Sequence, residues 1–443
     1  MYKGFADILK RVYNGQLKAG DIDRGLHWEQ FKALFKGVEN GLGLDWKDVA
    51  YDTPDGRMLE ILRENVFVFS ACKNYQELKA ISAELIDENG KVREFEDFKK
   101  KALAIHEEYN KTWLQAEYNH AIASSQMAGK WNRIYADKDL FPYLRFNAVV
   151  DGRTTDTCKG LDGVTKHIDD PIWNTYYPPN HWGCRSDVDQ VENAKETPTD
   201  KIKFPDVPDM FRTNVGKKGV AFPDKHPYYN ISKKDAPKLA ETIHKLKIEV
   251  GIYTPAKNIK EAEAFALNSG LARKVSYRGM HIDYANAVNR TLYDLKKETG
   301  KTYDFIEAKA LRGKSGLTTA MQNVYYISSK EQALRINTNY IKQFKNIDAL
   351  NESAKLTKER GWWMPENYEG FVKHEFGHRL TVNKAYQEPK FIQNKGFAGI
   401  STYGETNLKE TLAEIFTKYK QEGKDSLKPI YIDLFNKYSE FKI

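Results

Sequence analysis

The sequence predicts a multidomain α+β protein: a helical N-terminal region with a small α+β module, then a second α+β domain. Three observations predict it. The 443 residues are enough for two or three separate cores. The texture of the chain changes twice, from helix-period sequence to short strand-like pieces among tight turns, and then to a mixture of the two. The balance of 41% hydrophobic and 29% charged residues suits a chain that buries cores in water, and no window approaches about 18 unbroken apolar residues, so no membrane span is expected.

The opening "MYKGFADILKRVYNGQL" has apolar residues at helical spacing but no sustained apolar stretch, which predicts an amphipathic helix and not a signal peptide. "YQELKAISAELI" and "FEDFKKKALAIHEEYNKTWLQAEYNHAIASSQMAGKW" continue the three-and-four periodicity, with an Asn-Gly turn in "IDENGKV" between them. From residue 140 to 195, pieces such as "RFNAVV" alternate with Asp-Gly and Pro-Pro turns, giving a small α+β module. Residues 196–231 are rich in Pro, Gly and Lys without periodicity and predict a linker or extended arm. A second domain spans 232–443. Its helices are "DAPKLAETIHKLKIEV", "IKEAEAFALNSG" and "DYANAVNRTLYDLKKETG", and its strands are "YDFIEAKAL", "VYYISS" and "ALRINT".

A net charge of +8 over this length is mild, and the lysines are spread along amphipathic helices. Contact with DNA is permitted but not required by that charge. Cys72, Cys158 and Cys184 are too few for a disulfide framework and predict a reducing compartment.

"FVKHEFGHRL" contains His-Glu-x-x-His. On a helix His374 and His378 leave the same face and can meet one metal ion, with Glu375 placed to take a proton from water. No histidine follows His378, so the extended three-histidine motif is absent and a downstream carboxylate is the better candidate for a third ligand. Glu410 and Glu414 share one helical face in "STYGETNLKETLAEIF". A local role competes for Glu410, as capping-box partner of an Asn407 N-cap.

"HEFGH" followed by "TYGETNLKETLAE" resembles the glutamate-zincins of the anthrax lethal factor type. The resemblance implies a zincin-like metallopeptidase domain that uses Zn2+. His374, His378 and Glu410 would be the metal ligands, Glu375 the general base, Glu414 the carboxylate that orients a ligand histidine, and Tyr403 the oxyanion donor. It also implies an upper lobe that offers an edge strand to a peptide substrate, with "VYYISS" and "ALRINT" as its candidate strands. A rival is "VSYRGM" with Arg278, which resembles the arginine-bearing strand of ADP-ribosyltransferases. Its Glu-x-Glu, Glu261 and Glu263, precedes the arginine instead of following it.

In the first half, "FPYLRFNAVVDGRTTDTCKGLDG" and "YYPPNHWGCRSDV" resemble the phage Mu F-type head morphogenesis (minor head protein) family, across 1–195. That resemblance implies portal and capsid proteins as partners, and a place in the virion interior or the host bacterial cytoplasm. The family often ends Cys-Arg-Cys where this chain has Cys184-Arg185-Ser186. Cys158, His167, His181 and Cys184 are possible ligands of a structural metal, or simply pack in a small module. "DGRTTD" reads as a turn that Asp and Arg pairing would close. The combined expectation is a phage minor head protein carrying a zinc endopeptidase, delivered with DNA or acting in head maturation. The alternatives are a purely structural portal-associated protein with an inactive zincin domain and an ADP-ribosyltransferase effector.

Overall fold

The computed structural model describes residues 4–45 and 49–443, so the first three residues of the opening "MYKG" lie outside the described residues. The chain divides into two compact units, 1–49 with 57–254 and 50–56 with 255–443. The division falls at 254/255, not at 232, and the segment 196–231 is no free arm.

In the first unit the predicted helices form where the periodicity places them. The opening helix is Phe5–Tyr13, and Arg24–Leu42 is N-capped by Asp23, whose carboxylate accepts from the Leu26 N–H. Phe95–Glu107 continues through a π-helical segment, Glu108–Trp113, into Leu114–Ala136. "YQELKAISAELI" belongs to a longer helix, Pro54–Ala83. Three short strands follow, β1 (Tyr143–Asn147), β2 (Thr165–His167) and β3 (Asp187–Val191), in the antiparallel order β2-β1-β3. β1 buries Leu144 and Phe146 and turns its other residues outward.

The segment expected to be an arm is pinned to these helices. Asn65 accepts from the Ala221 and Phe222 N–H groups and donates to the Phe222 carbonyl, while the Phe222 ring stacks on Phe69 with centroids 3.8 Å apart. Tyr228 donates to Glu117, itself paired with Lys73 at 2.8 Å, all three being buried. The segment is broken by prolines into single helical turns such as Asp209–Phe211 and Val215–Lys218, so its burial has no sustained helical or strand period to announce it. Helix Ala236–Val250 also joins this core through Leu239, Ile243 and Leu246.

His27, His120 and His226 are buried here, and burial pushes their imidazoles down to about 4, 4 and 3. Each is neutral when folded and takes a proton near its ordinary value only when unfolded. The stability they contribute is therefore complete above pH 6.5 and is lost as the pH falls toward 4, by about 1.4 kcal/mol per pH unit for each histidine. The first unit is expected to denature in urea at progressively lower concentration across that window. His27→Gln should flatten the slope; an unchanged slope in that variant contradicts the assignment.

The second unit holds a four-stranded sheet. Its strands are β4 (Lys274–Ser276), β5 (Phe305–Lys309), β6 (Met321–Tyr326) and β7 (Glu331–Asn337), in the order β4-β5-β7-β6. β4, β5 and β7 are parallel and β6 runs antiparallel to β7. Helix Ile282–Thr299 makes the crossover from β4 to β5 and stops at Gly300, whose φ of +68° is the left-handed turn that glycine adopts cheaply. Of the two strands expected to offer an edge, β6 alone does so; β7 is flanked by β5 and β6. Arg278 lies in an exposed turn after β4 and not on the strand, and Glu263 accepts from the Tyr277 N–H.

Candidate metal centre

The His-Glu-x-x-His segment lies in the middle of helix Tyr368–Ala385, here the motif helix. Asn367 caps its start by accepting from the Gly370 N–H at 2.8 Å. Asp52, far earlier in the chain but in the same unit, accepts from the Glu369 N–H at 2.8 Å, and Glu369 in turn accepts from the Tyr51 N–H at 3.0 Å. A carboxylate at a helix N-terminus satisfies an orphan donor and suits the positive end of the dipole. The helix is buried along most of its length, and the His374 and His378 rings face each other edge-on with centroids 4.9 Å apart.

The third member comes from helix Leu408–Glu422, the return helix. Asn407 does cap it, accepting from the Lys409 and Glu410 N–H groups. The Glu410 carboxylate, however, turns to the imidazoles: its Oε2 lies 3.1 Å from His374 Nε2 and 3.2 Å from His378 Nε2. Gly377 permits this approach. A Cβ there would stand 2.9 Å from the Ala413 Cα and 3.1 Å from the Phe416 Cβ, so the two helices meet where one of them has no side chain. A tetrahedral zinc with bonds of about 2.0–2.1 Å places N and O ligand atoms about 3.3 Å from one another. The three residues fit such an ion.

Glu414, one turn beyond Glu410, is fully buried. One oxygen pairs with His374 Nδ1 at 2.7 Å; the other accepts from the Met364 N–H and the Ser401 hydroxyl, each at 2.6 Å. A carboxylate on Nδ1 turns the Nε2 lone pair toward Glu410 and His378, where an ion would sit, and makes it more basic. Burial would strip a proton from His374, yet Glu410 and Glu414 on its two nitrogens outweigh that and raise its affinity for positive charge. Burial also opposes ionisation of Glu410, but the paired imidazoles hold its carboxyl well below the usual range. The same arrangement that favours a proton favours a cation.

Glu375 projects into a cleft of about 460 Å³ lined by Met321, Asn323, Tyr325, His378, Tyr403 and Glu410. Burial pushes its carboxyl up, toward the range of a working base. Its Oε2 accepts from the main-chain N–H of Asn323 on β6. Tyr403 stands with its ring 5.9 Å from that of His374, and burial followed by the nearby Glu410 charge keeps its phenol protonated far above neutrality. Sequence reasoning missed Met364, Asn323 and Ser401. The first two act through main-chain N–H groups, which no side-chain pattern announces, whereas Ser401 sits two residues before Tyr403.

In the first unit Cys158, His181 and Cys184 converge, with ligand atoms within 4.8 Å of one another. His167 does not join them. It ends β2, half-exposed, with Nδ1 accepting from the Asp169 N–H and its ring edge-on to Tyr143. Asp151 closes the "DGRTTD" turn through the Arg153 N–H, and its ion-pair partner is Arg185 at 2.7 Å, which lowers its carboxyl.

Structure and sequence define a two-unit α+β protein in which, among the described residues, two separate clusters of side chains have the chemistry to hold a metal ion. Residues 81–189 match the family model for Phage Mu protein F like protein, so the first unit carries a Phage Mu F-like segment. The chain is 35% identical over 82 residues to the putative capsid assembly protein F of Escherichia phage Mu, covering 18% of this chain and 19% of that protein. It is 42% identical over 64 residues to the Mu-like prophage FluMu F protein of Haemophilus influenzae, covering 14% of this chain and 16% of that one. The chain thus spans less than a fifth of the length of the curated relatives it matches. No solved structure gives a significant match. Among the described residues no helix is long and apolar enough to cross a membrane.

Proposed function

We propose that this protein is a phage head component whose second unit is a zinc-dependent endopeptidase. The observation that carries the reading is the convergence of His374, His378 and Glu410 beside a buried Glu375, at the mouth of a cleft bordered by the sheet edge β6. When bound there, zinc supplies Lewis-acid chemistry, polarising a carbonyl oxygen and making water acidic. Glu375 takes the proton from the attacking water and hands it to the leaving amine. Tyr403 donates its hydroxyl to the oxygen that becomes negative as the carbonyl carbon turns tetrahedral. Glu414 holds the His374 ring through Nδ1, and Ser401 and Met364 hold Glu414. A peptide laid along β6 would extend the sheet by one strand, which orients the scissile bond by main-chain hydrogen bonds.

The head-protein half of the reading rests on the Phage Mu F-like segment and on the capsid-assembly name of a relative. It makes portal and capsid proteins the partners and the virion the site of residence. The full chain, incubated with a pool of unstructured peptides, is expected to cleave them, to stop on addition of a zinc chelator, and to resume when zinc is restored. Cleavage indifferent to the chelator would overturn the proposal.

A further inference from the structure

We infer that Cys158, His181 and Cys184 hold a second zinc ion, tetrahedral and thiolate-ligated, with the Ser186 hydroxyl beside its fourth position. The inference is independent of the peptidase reading, because none of these residues belongs to the second unit.

The separations are those of a metal site. Zn–S bonds of about 2.3 Å at tetrahedral angles put two sulfurs about 3.8 Å apart. Cys158 Sγ and Cys184 Sγ are 3.8 Å apart, a separation far beyond the roughly 2.0 Å of a disulfide. His181 Nε2 lies 3.2 Å from Cys158 Sγ. The imidazole is oriented from behind: Nδ1 is 2.8 Å from the Trp182 carbonyl, which only accepts, so Nδ1 carries the proton and Nε2 presents its lone pair to the sulfurs. The Thr155 hydroxyl, 3.0 Å from Nε2, also N-caps the short helix Asp156–Leu161 that bears Cys158.

The sulfurs have supporting donors of their own. The Asn180 and Ser186 main-chain N–H groups lie close enough to favour the Cys184 thiolate, and the Ser186 hydroxyl does the same for Cys158. Cys158 and Cys184 are buried, and so is Ser186. Two buried thiolates and a partly buried imidazole favour zinc over the harder divalent ions. Binding would release the two thiol protons and clamp the Cys158 helix to the loop that leads into β3.

The test uses the full chain carrying His374→Ala and His378→Ala, so that only this site remains. One zinc per chain should stay bound through dialysis and be lost on adding Cys158→Ser and Cys184→Ser. Loading with Co2+ in place of zinc should give thiolate-to-metal charge-transfer absorption, which a nitrogen and oxygen site cannot give. Because the serine pair also alters two buried side chains of the module, a gain-of-binding variant keeps the test decisive. Ser186→Cys supplies a third thiolate and should tighten zinc at least about tenfold. A chain that retains no zinc and shows no thiolate band, or one in which Cys158 and Cys184 are recovered as a disulfide, overturns the inference. So does a Ser186→Cys chain with unchanged affinity.

Discussion

Glu375→Gln is expected to leave zinc stoichiometry unchanged and to slow peptide cleavage by about a thousandfold or more. The amide is isosteric with the acid, and its carbonyl oxygen still accepts the Asn323 N–H that Glu375 accepts now. The metal-facing atoms of His374, His378 and Glu410 are untouched, so the ion should remain. What disappears is the buried carboxylate that the proposed mechanism uses to shuttle the proton. Cleavage rates and metal content measured on the same preparation check this, and a full rate in the variant contradicts the role. Particles assembled with Glu375→Gln would then distinguish the two uses open to the proposed peptidase. Unprocessed head proteins indicate maturation, whereas normal particles with altered infection indicate delivery.

The second large effect concerns stability. Lys73 and Glu117 are almost completely buried, with Lys73 Nζ 2.8 and 2.9 Å from the two carboxylate oxygens and 5.1 Å from the centre of the Tyr228 ring. Burial drives the lysine down and the glutamate up, so each charge persists only because of the other. Glu117→Gln takes away the carboxylate that Lys73 is bonded to, leaving only the Glu77 charge to act on it from farther off, and should cost about 3–5 kcal/mol, a large part of the 5–15 kcal/mol that holds an ordinary domain together. The urea midpoint of the first unit would fall accordingly. Replacing both partners, as Lys73→Met with Glu117→Leu, should recover most of the loss, since no charge is then stranded. A double variant as unstable as the single one would mean that shape and not charge is at stake.

Much of the second unit could be read from residues alone, because its signals are local. The spacing of His374 and His378, the cap at Asn407 and the Gly300 stop are each written within a few positions. The choice between ligand and cap for Glu410 could not be read, since both are compatible with an acid three residues after Asn407. In the structure the Glu410 carboxylate turns to the two imidazoles, across a helix contact at Gly377 that lies 33 residues away in sequence (410 − 377). β2 was missed because three residues, Thr165–His167, carry too little alternation to register. Residues 196–231 were misread because their burial comes from partners such as Asn65 and Phe69, and composition reports only prolines and lysines. His167 was grouped with the cysteines because spacing says which side chains are near in sequence, not which way a strand turns them.

Tyr51 and Asp52 make the second unit discontinuous. One stroke of the scissors cannot free it: a fragment opening at residue 255 would begin life with Glu369 missing the carboxylate that greets its N–H. A graft that moves the C-terminal half onto another carrier must bring seven residues from the early chain as a second splice. Any exchange of contiguous blocks would pass this pair of units on whole or hand down the motif helix without its Asp52 cap.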